Sequence, residues 1–101
     1  MNGFSLATPE QVSKTLAARV KALRLARGWK QVTLAQRSGV SLASLRRFEE
    51  SGKVSLESLL ELAFALNRLD DFDTLFQGSP ASPLAELEAG EKRPARKRGR
   101  I

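Results

Sequence analysis

Apolar residues recur along most of the chain at helical rather than strand spacing. Val12, Leu16, Val20 and Leu23 follow at i, i+4, i+8 and i+11, which places them on one helix face. Thr8 and Gln11 bracket Pro9 as a Thr-x-x-Gln capping box, and Gly28 is placed to end that helix. A second helix is predicted from Gln31 to Ser38, with Val32, Leu34 and Ala35 in its first turns. Lys30 stands at its N-cap, where a side-chain oxygen is preferred, so its start is weakly capped. Ser41 caps a third helix running to about Glu50, and Gly52 breaks the chain. Ser55 caps a fourth helix, Leu56 to Leu66, which Asn67 closes. A fifth, short helix is expected after it, capped by Asp70 or Asp71, with Phe72, Leu75 and Phe76 on one side.

Glycine and proline are sparse until residue 78, where GSPASP begins a linker. Pro83 to Ala89 has enough pattern for a turn or two of helix. Gly90 to Ile101, GEKRPARKRGRI, has no hydrophobic face and is expected to be disordered on its own. The predicted organisation is therefore all-α: a five-helix domain over residues 1–77, a linker over 78–89 and a basic tail over 90–101.

Composition narrows the chemistry. A chain of 101 residues suits one small domain with room for a tail. It contains no cysteine and no histidine, which removes disulfides, thiolate chemistry and the commonest general base and metal ligand. No nucleophile–base pair, metal cluster or phosphate-cradling glycine loop is visible, so no enzymatic activity, metal or cofactor is expected. No apolar run is long enough to span a bilayer, and no signal-peptide pattern opens the chain; a cytoplasmic protein is expected.

The formal charge is +6, and it is segregated. Residues 1–53 carry ten Lys or Arg against Glu10, Glu49 and Glu50. Residues 54–89 carry only Arg68 against seven carboxylates, and the final stretch is again strongly basic. One end should attract a polyanion while the middle repels it.

The second and third helices together form the most informative stretch. Ala35 is small where two helices cross closely, and Gly39 permits the positive φ of a tight bend. Val40, Leu45 and Phe48 turn inward, which leaves Leu42, Ala43, Arg46, Arg47 and Glu50 on or near the outer face. A free face with small residues and two arginines fits a major groove: an arginine can hold guanine O6 and N7, and Leu42 or Ala43 can touch a thymine methyl. At the start of the second helix, unpaired N–H groups and the Gln31 side chain can hold a phosphate. The bland alternative for Arg46 and Arg47 is ordinary solvated surface. Trp29, which follows Gly28 directly, is expected to pack at the joint of the first two helices rather than to stack on a base. Leu69, Phe72, Leu75 and Phe76 are candidates for a dimer seam as well as for the core.

Gln31, Ala35, Gly39, Val40, Leu45 and Phe48 resemble the Cro/repressor (Xre-type) helix-turn-helix family, and the flanking stretches LRLARGWKQ and SLESLLELAFAL extend the likeness over about residues 15–76. The resemblance implies double-stranded operator DNA as partner. It puts the phosphate contact on Gln31 and the base-reading positions on Ser41, Leu42, Ala43 and Arg47, with Arg46 alongside. Lys30, Ser44 and Lys53 complete the expected contact set. It also implies that Arg24 and Glu49 form a structural ion pair joining the first and third helices. Two departures stand out: Lys30 replaces a capping Ser or Thr, and the loop after Glu49 is short. FEESGKVSLESLLELAFALNRLDDFDTLF, followed by a Pro-containing linker and a basic end, is more narrowly similar to HipB-type antitoxins. That likeness implies an autorepressor acting as a homodimer beside a HipA-like kinase toxin. A stand-alone repressor, or an interaction module of the same fold that does not read DNA, is the alternative.

Overall fold

The computed structural model describes residues 7–78; the basic tail and all but the first residue of the expected linker lie outside the described residues. The chain divides into two compact units, residues 1–71 and 72–101. The first holds four α-helices: α1 (Pro9–Ala26), α2 (Gln31–Ser38), α3 (Leu42–Ser51) and α4 (Leu56–Ala65). No strand occurs among the described residues.

Local chemistry explains the helix limits. The Thr8 N–H donates to Gln11 Oε1 at 3.0 Å and the Gln11 N–H donates to Thr8 Oγ1 at 3.2 Å, closing the expected capping box. At the other end of α1, the Gly28 N–H donates to the Leu25 carbonyl and the Trp29 N–H to the Arg24 carbonyl, a paired closure that satisfies two carbonyls of the last turn. Ser41 and Ser55 each accept the N–H of the residue three positions on, Ser44 and Ser58, and so start α3 and α4.

The expected fifth helix is corrected to a single 3-10 turn, Leu69–Phe72. Asn67, at φ 60°, and the Arg68 N–H, bonded to the Ala63 carbonyl at 2.8 Å, first turn the chain out of α4. Asp70 and Asp71 then lie inside the turn rather than before a helix. In the second unit, Leu75 and Gln77 donate three residues back to Phe72 and Thr74, and Phe76 adopts φ 60°, a conformation that no right-handed helix contains. Leu75 and Phe76 are exposed. A helix this short does not recover its nucleation cost without a packed face.

α1 packs on α3, and α2 packs on both α3 and α4. The core comprises Ala17, Leu34, Ala35, Val40, Leu45, Phe48, Leu62 and Leu66. The predicted stripe of α1 lies at its edge: Val12, Leu16, Val20 and Leu23 are half-buried, whereas Ala17 is enclosed. Leu34, Leu45 and Phe48 belong to α2 and α3 and are 0–1% exposed. Each contributes roughly 1.5–3 kcal/mol by leaving water, so the α2–α3 pair is anchored from beneath.

Two glycines set the paths around α3. Gly39 closes α2 at φ 79°, with its N–H on the Ala35 carbonyl at 2.9 Å. Gly52 closes α3 at φ 83°, and a Cβ there would meet the backbone of α1 at 3.0 Å from both Lys14 N and Ser13 C.

Candidate nucleic-acid interface

The joint between α2 and α3 is built from small groups. Ala35 is buried beneath it. Ser38, a residue that no sequence pattern marks, is also buried; its hydroxyl donates to the Ala35 carbonyl at 3.3 Å and accepts the Val40 N–H at 3.1 Å. A buried hydroxyl needs such partners, and these two tie the last turn of α2 to the bend.

The bend directs α3 so that Leu45 and Phe48 enter the core while Ala43, Ser44, Arg46, Arg47 and Glu50 face solvent. Leu42 is half-buried and packs against the core, which leaves only part of its side chain for a ligand. The Ser41 hydroxyl is engaged with Ser44, accepting its N–H at 3.1 Å and lying 2.9 Å from its Oγ. Lys30 is exposed at the start of α2 and makes no side-chain capping bond, as its residue type predicts. Lys53 is exposed and, with Arg47, Ser44, Val54, Ser55 and Ser58, lines an open depression of about 300 Å³.

The implied Arg24–Glu49 pair is present and nearly sealed: the two side chains are 6% and 4% exposed. Arg24 Nε donates to Glu49 Oε2 at 2.8 Å and Nη2 to Oε1 at 2.9 Å, a two-pronged arrangement. Arg24 Nη1 donates to the Trp29 carbonyl at 2.8 Å. Burial pushes the Glu49 carboxyl up, but hydrogen bonds from Arg24 and Gln31, with the charges of Arg24 and Lys21, outweigh it and hold the group below its ordinary value.

Gln31 is hydrogen-bonded within the protein. Its Nε2 donates to Glu49 Oε1 at 2.9 Å, and its Oε1 accepts from Arg46 Nε at 3.4 Å. One N–H of the amide and its oxygen are thus engaged inside the protein, and the second N–H of Nε2 makes no hydrogen bond among the described residues. No sequence signal marks this bond, because its partners are 18 and 15 residues away. Trp29 is half-buried and packs against the core, as expected; the guanidinium carbons of Arg27 and Arg37 lie over its ring, 5.2 and 4.6 Å from the centroid. Arg27 also donates to the Leu66 carbonyl at 2.6 Å, linking the ends of α1 and α4.

Apolar surface extends beyond Leu69, Phe72, Leu75 and Phe76. Leu69 in the first unit is exposed, and Leu75 and Phe76 are exposed in the second, where Phe72 is half-buried. Leu56 and Phe64 on α4 are also open, at 65% and 69% exposure. Among the described residues no acidic cluster could hold a metal ion, and no helix is long and apolar enough to cross a membrane.

A short helix, a glycine bend and a second helix with a buried apolar side and an open cationic side define a helix-turn-helix DNA-binding domain. The family model for helix-turn-helix domains matches residues 20–72, and the chain belongs to that family, a class of DNA-binding transcription regulators. No curated protein and no solved structure matches the chain.

Proposed function

We propose that this protein is a sequence-specific repressor that binds a palindromic operator as a homodimer and serves as the antitoxin and autorepressor of a HipA-like kinase operon. The observation that carries the DNA reading is the open face of α3, where Ala43, Ser44, Arg46 and Arg47 stand clear of a core holding Leu45 and Phe48. An interaction module without DNA reading has no use for a cationic, small-residue face at this position. Ser41, Leu42, Ala43, Ser44 and Arg47 supply base contacts, while Lys30, Arg46 and Lys53 supply contacts along the backbone. The antitoxin role rests on the likeness of residues 48–76 and the basic end to HipB-type chains. A HipA-like kinase encoded immediately beside this chain, and its co-purification with it, are the expected findings; a neighbouring frame of unrelated type would leave a stand-alone repressor.

Selection from randomised duplexes is expected to enrich a two-fold symmetric sequence with half-sites one helical turn apart. Arg47→Ala should weaken binding to the selected site by about 1–3 kcal/mol and relax preference at one base pair. An unchanged specific affinity would show that Arg47 reads nothing.

A single ten-residue recognition helix contacts few base pairs, and a second copy doubles the reading. Leu69, Phe72, Leu75 and Phe76 are the proposed seam. The protein should sediment as a dimer at micromolar concentration, and Leu69→Glu should shift it to monomer. A wild-type protein that sediments only as a monomer across that range rules out the symmetric arrangement.

A further inference from the structure

Arg46 and Arg47 are neighbours in sequence, yet they serve opposite flanks of α3. Arg47 lines the depression shared with Lys53 and Ser55, on the side of the α3–α4 loop. Arg46 lines a second open depression of about 310 Å³ with Lys21, Gln31, Glu49 and Glu50, on the side of α1 and α2. In the second depression the Gln31 amide has only one tenable orientation. Its nitrogen must face Glu49, since the reverse would set a carbonyl oxygen 2.9 Å from a carboxylate oxygen. Glu49 is itself fixed by the two bonds from Arg24. The Gln31 oxygen is thereby turned toward Arg46, whose Nε lies 3.4 Å away.

We infer that Glu49 and Gln31 are positioning residues for Arg46, and that Arg46, together with Lys21, holds a backbone phosphate of the bound duplex. Gln31 directs the clamp and does not itself touch DNA. The inference rests on the reading of α3 as the DNA-binding helix. With Nε directed at Gln31, both Nη groups of Arg46 make no hydrogen bond among the described residues, and the side chain lines the opening. Two parallel N–H donors match two phosphate oxygens. The charge around the depression also favours an anion. Arg24 neutralises Glu49, which leaves Glu50 as the single uncompensated carboxylate against Lys21 and Arg46. Each flank of α3 thus presents cations, Lys21 and Arg46 on one side and Arg47 and Lys53 on the other, as a helix between two sugar–phosphate strands requires.

Because a phosphate clamp is blind to sequence, a short duplex of mixed sequence is a sufficient probe. Binding to it should be measured across a salt series for wild type, Gln31→Met, Arg46→Ala and the double variant. Gln31→Met preserves volume and leaves Glu49 with both bonds from Arg24. It should weaken binding about threefold to tenfold, the effect of one lost hydrogen bond. Arg46→Ala should weaken binding further and lower the salt slope by about 1. The double variant should bind no worse than Arg46→Ala alone, since Gln31 acts only through Arg46. Arg46→Lys keeps the charge but lacks the Nε–H, so adding Gln31→Met to it should change nothing. Melting temperatures of all variants, compared with wild type, separate these effects from loss of fold. Wild-type affinity in Gln31→Met overturns the relay, and so do independent, multiplying effects of the two changes, since Gln31 would then be touching DNA itself. If the wild-type chain binds no duplex at all, the DNA-binding reading falls first and the clamp with it.

Discussion

Arg24→Met is expected to cost about 3–5 kcal/mol of folding stability, the usual consequence of leaving one member of a buried pair without its counter-charge. A helical body of this size has roughly 0.05–0.15 kcal/mol per residue in total, so the variant should be close to unfolding at room temperature. The reason is geometric. The Glu49 side chain is 4% exposed and would retain only the Gln31 amide, while the Trp29 carbonyl would lose its donor. Replacing both members, as Arg24→Met with Glu49→Met, should recover most of the loss, because a pair of apolar side chains of similar volume needs no desolvation. Urea titrations of the single and double variants decide the matter; a single variant within 1 kcal/mol of wild type, on the scale of an exposed pair, would mean that the pair is solvated in solution.

The same carboxylate gives the wild type an acid limit. Its folded-state pKa is depressed, so the unfolded chain binds protons first as acid is added. The contribution of Glu49 is complete above the ordinary carboxylate value of about 4.3 and is lost as pH falls through the lower folded-state value. The double methionine variant should lack this part of the acid dependence.

Gly52→Ala is the other substitution with a large expected effect. A side chain at φ 83° costs about 1–2 kcal/mol from backbone strain alone. Here the added carbon also meets Lys14 N and Ser13 C at 3.0 Å and Ser13 Cβ at 3.2 Å. Two of these three atoms are backbone, so α1 must move away from α3, adding the roughly 1–3 kcal/mol typical of overpacking. Gly28 and Gly39 provide the control, since both have positive φ but no atom within 4 Å of a built Cβ. Thermal melts should place Gly52→Ala well below Gly28→Ala and Gly39→Ala, with each kcal/mol lowering Tm by about 4–8 °C in a domain of this size. Equal losses at all three sites would show that α1 does not approach Gly52 closely.

What the sequence made legible was the chemistry confined to a few neighbouring residues. The Thr8–Gln11 box, the Ser41 and Ser55 caps and the left-handed turns at Gly28, Gly39 and Gly52 each depend on groups within five positions. The four helices follow from these signals and from apolar periodicity. The spacing of Phe72, Leu75 and Phe76 fits a helix where the chain forms the turn Leu69–Phe72. Spacing alone does not show that Phe76 takes φ 60° or that Leu75 stays exposed. The outward face of α3 was legible from the inward stripe of Leu45 and Phe48. The Arg24–Glu49 pair entered only through family resemblance, since its partners are 25 residues apart. The capture of the Gln31 amide by Glu49 was not legible, because it depends on how three helices meet.

Trp29 is the chain's single tryptophan, and it lies where α1 hands over to α2, its carbonyl held by Arg24 and its ring beneath the guanidinium groups of Arg27 and Arg37. Ultraviolet emission from the chain therefore originates almost entirely at that one hinge. Loosening of the corner between the first two helices shifts the indole from a half-covered to a wet environment, so the molecule carries its own optical gauge without a dye.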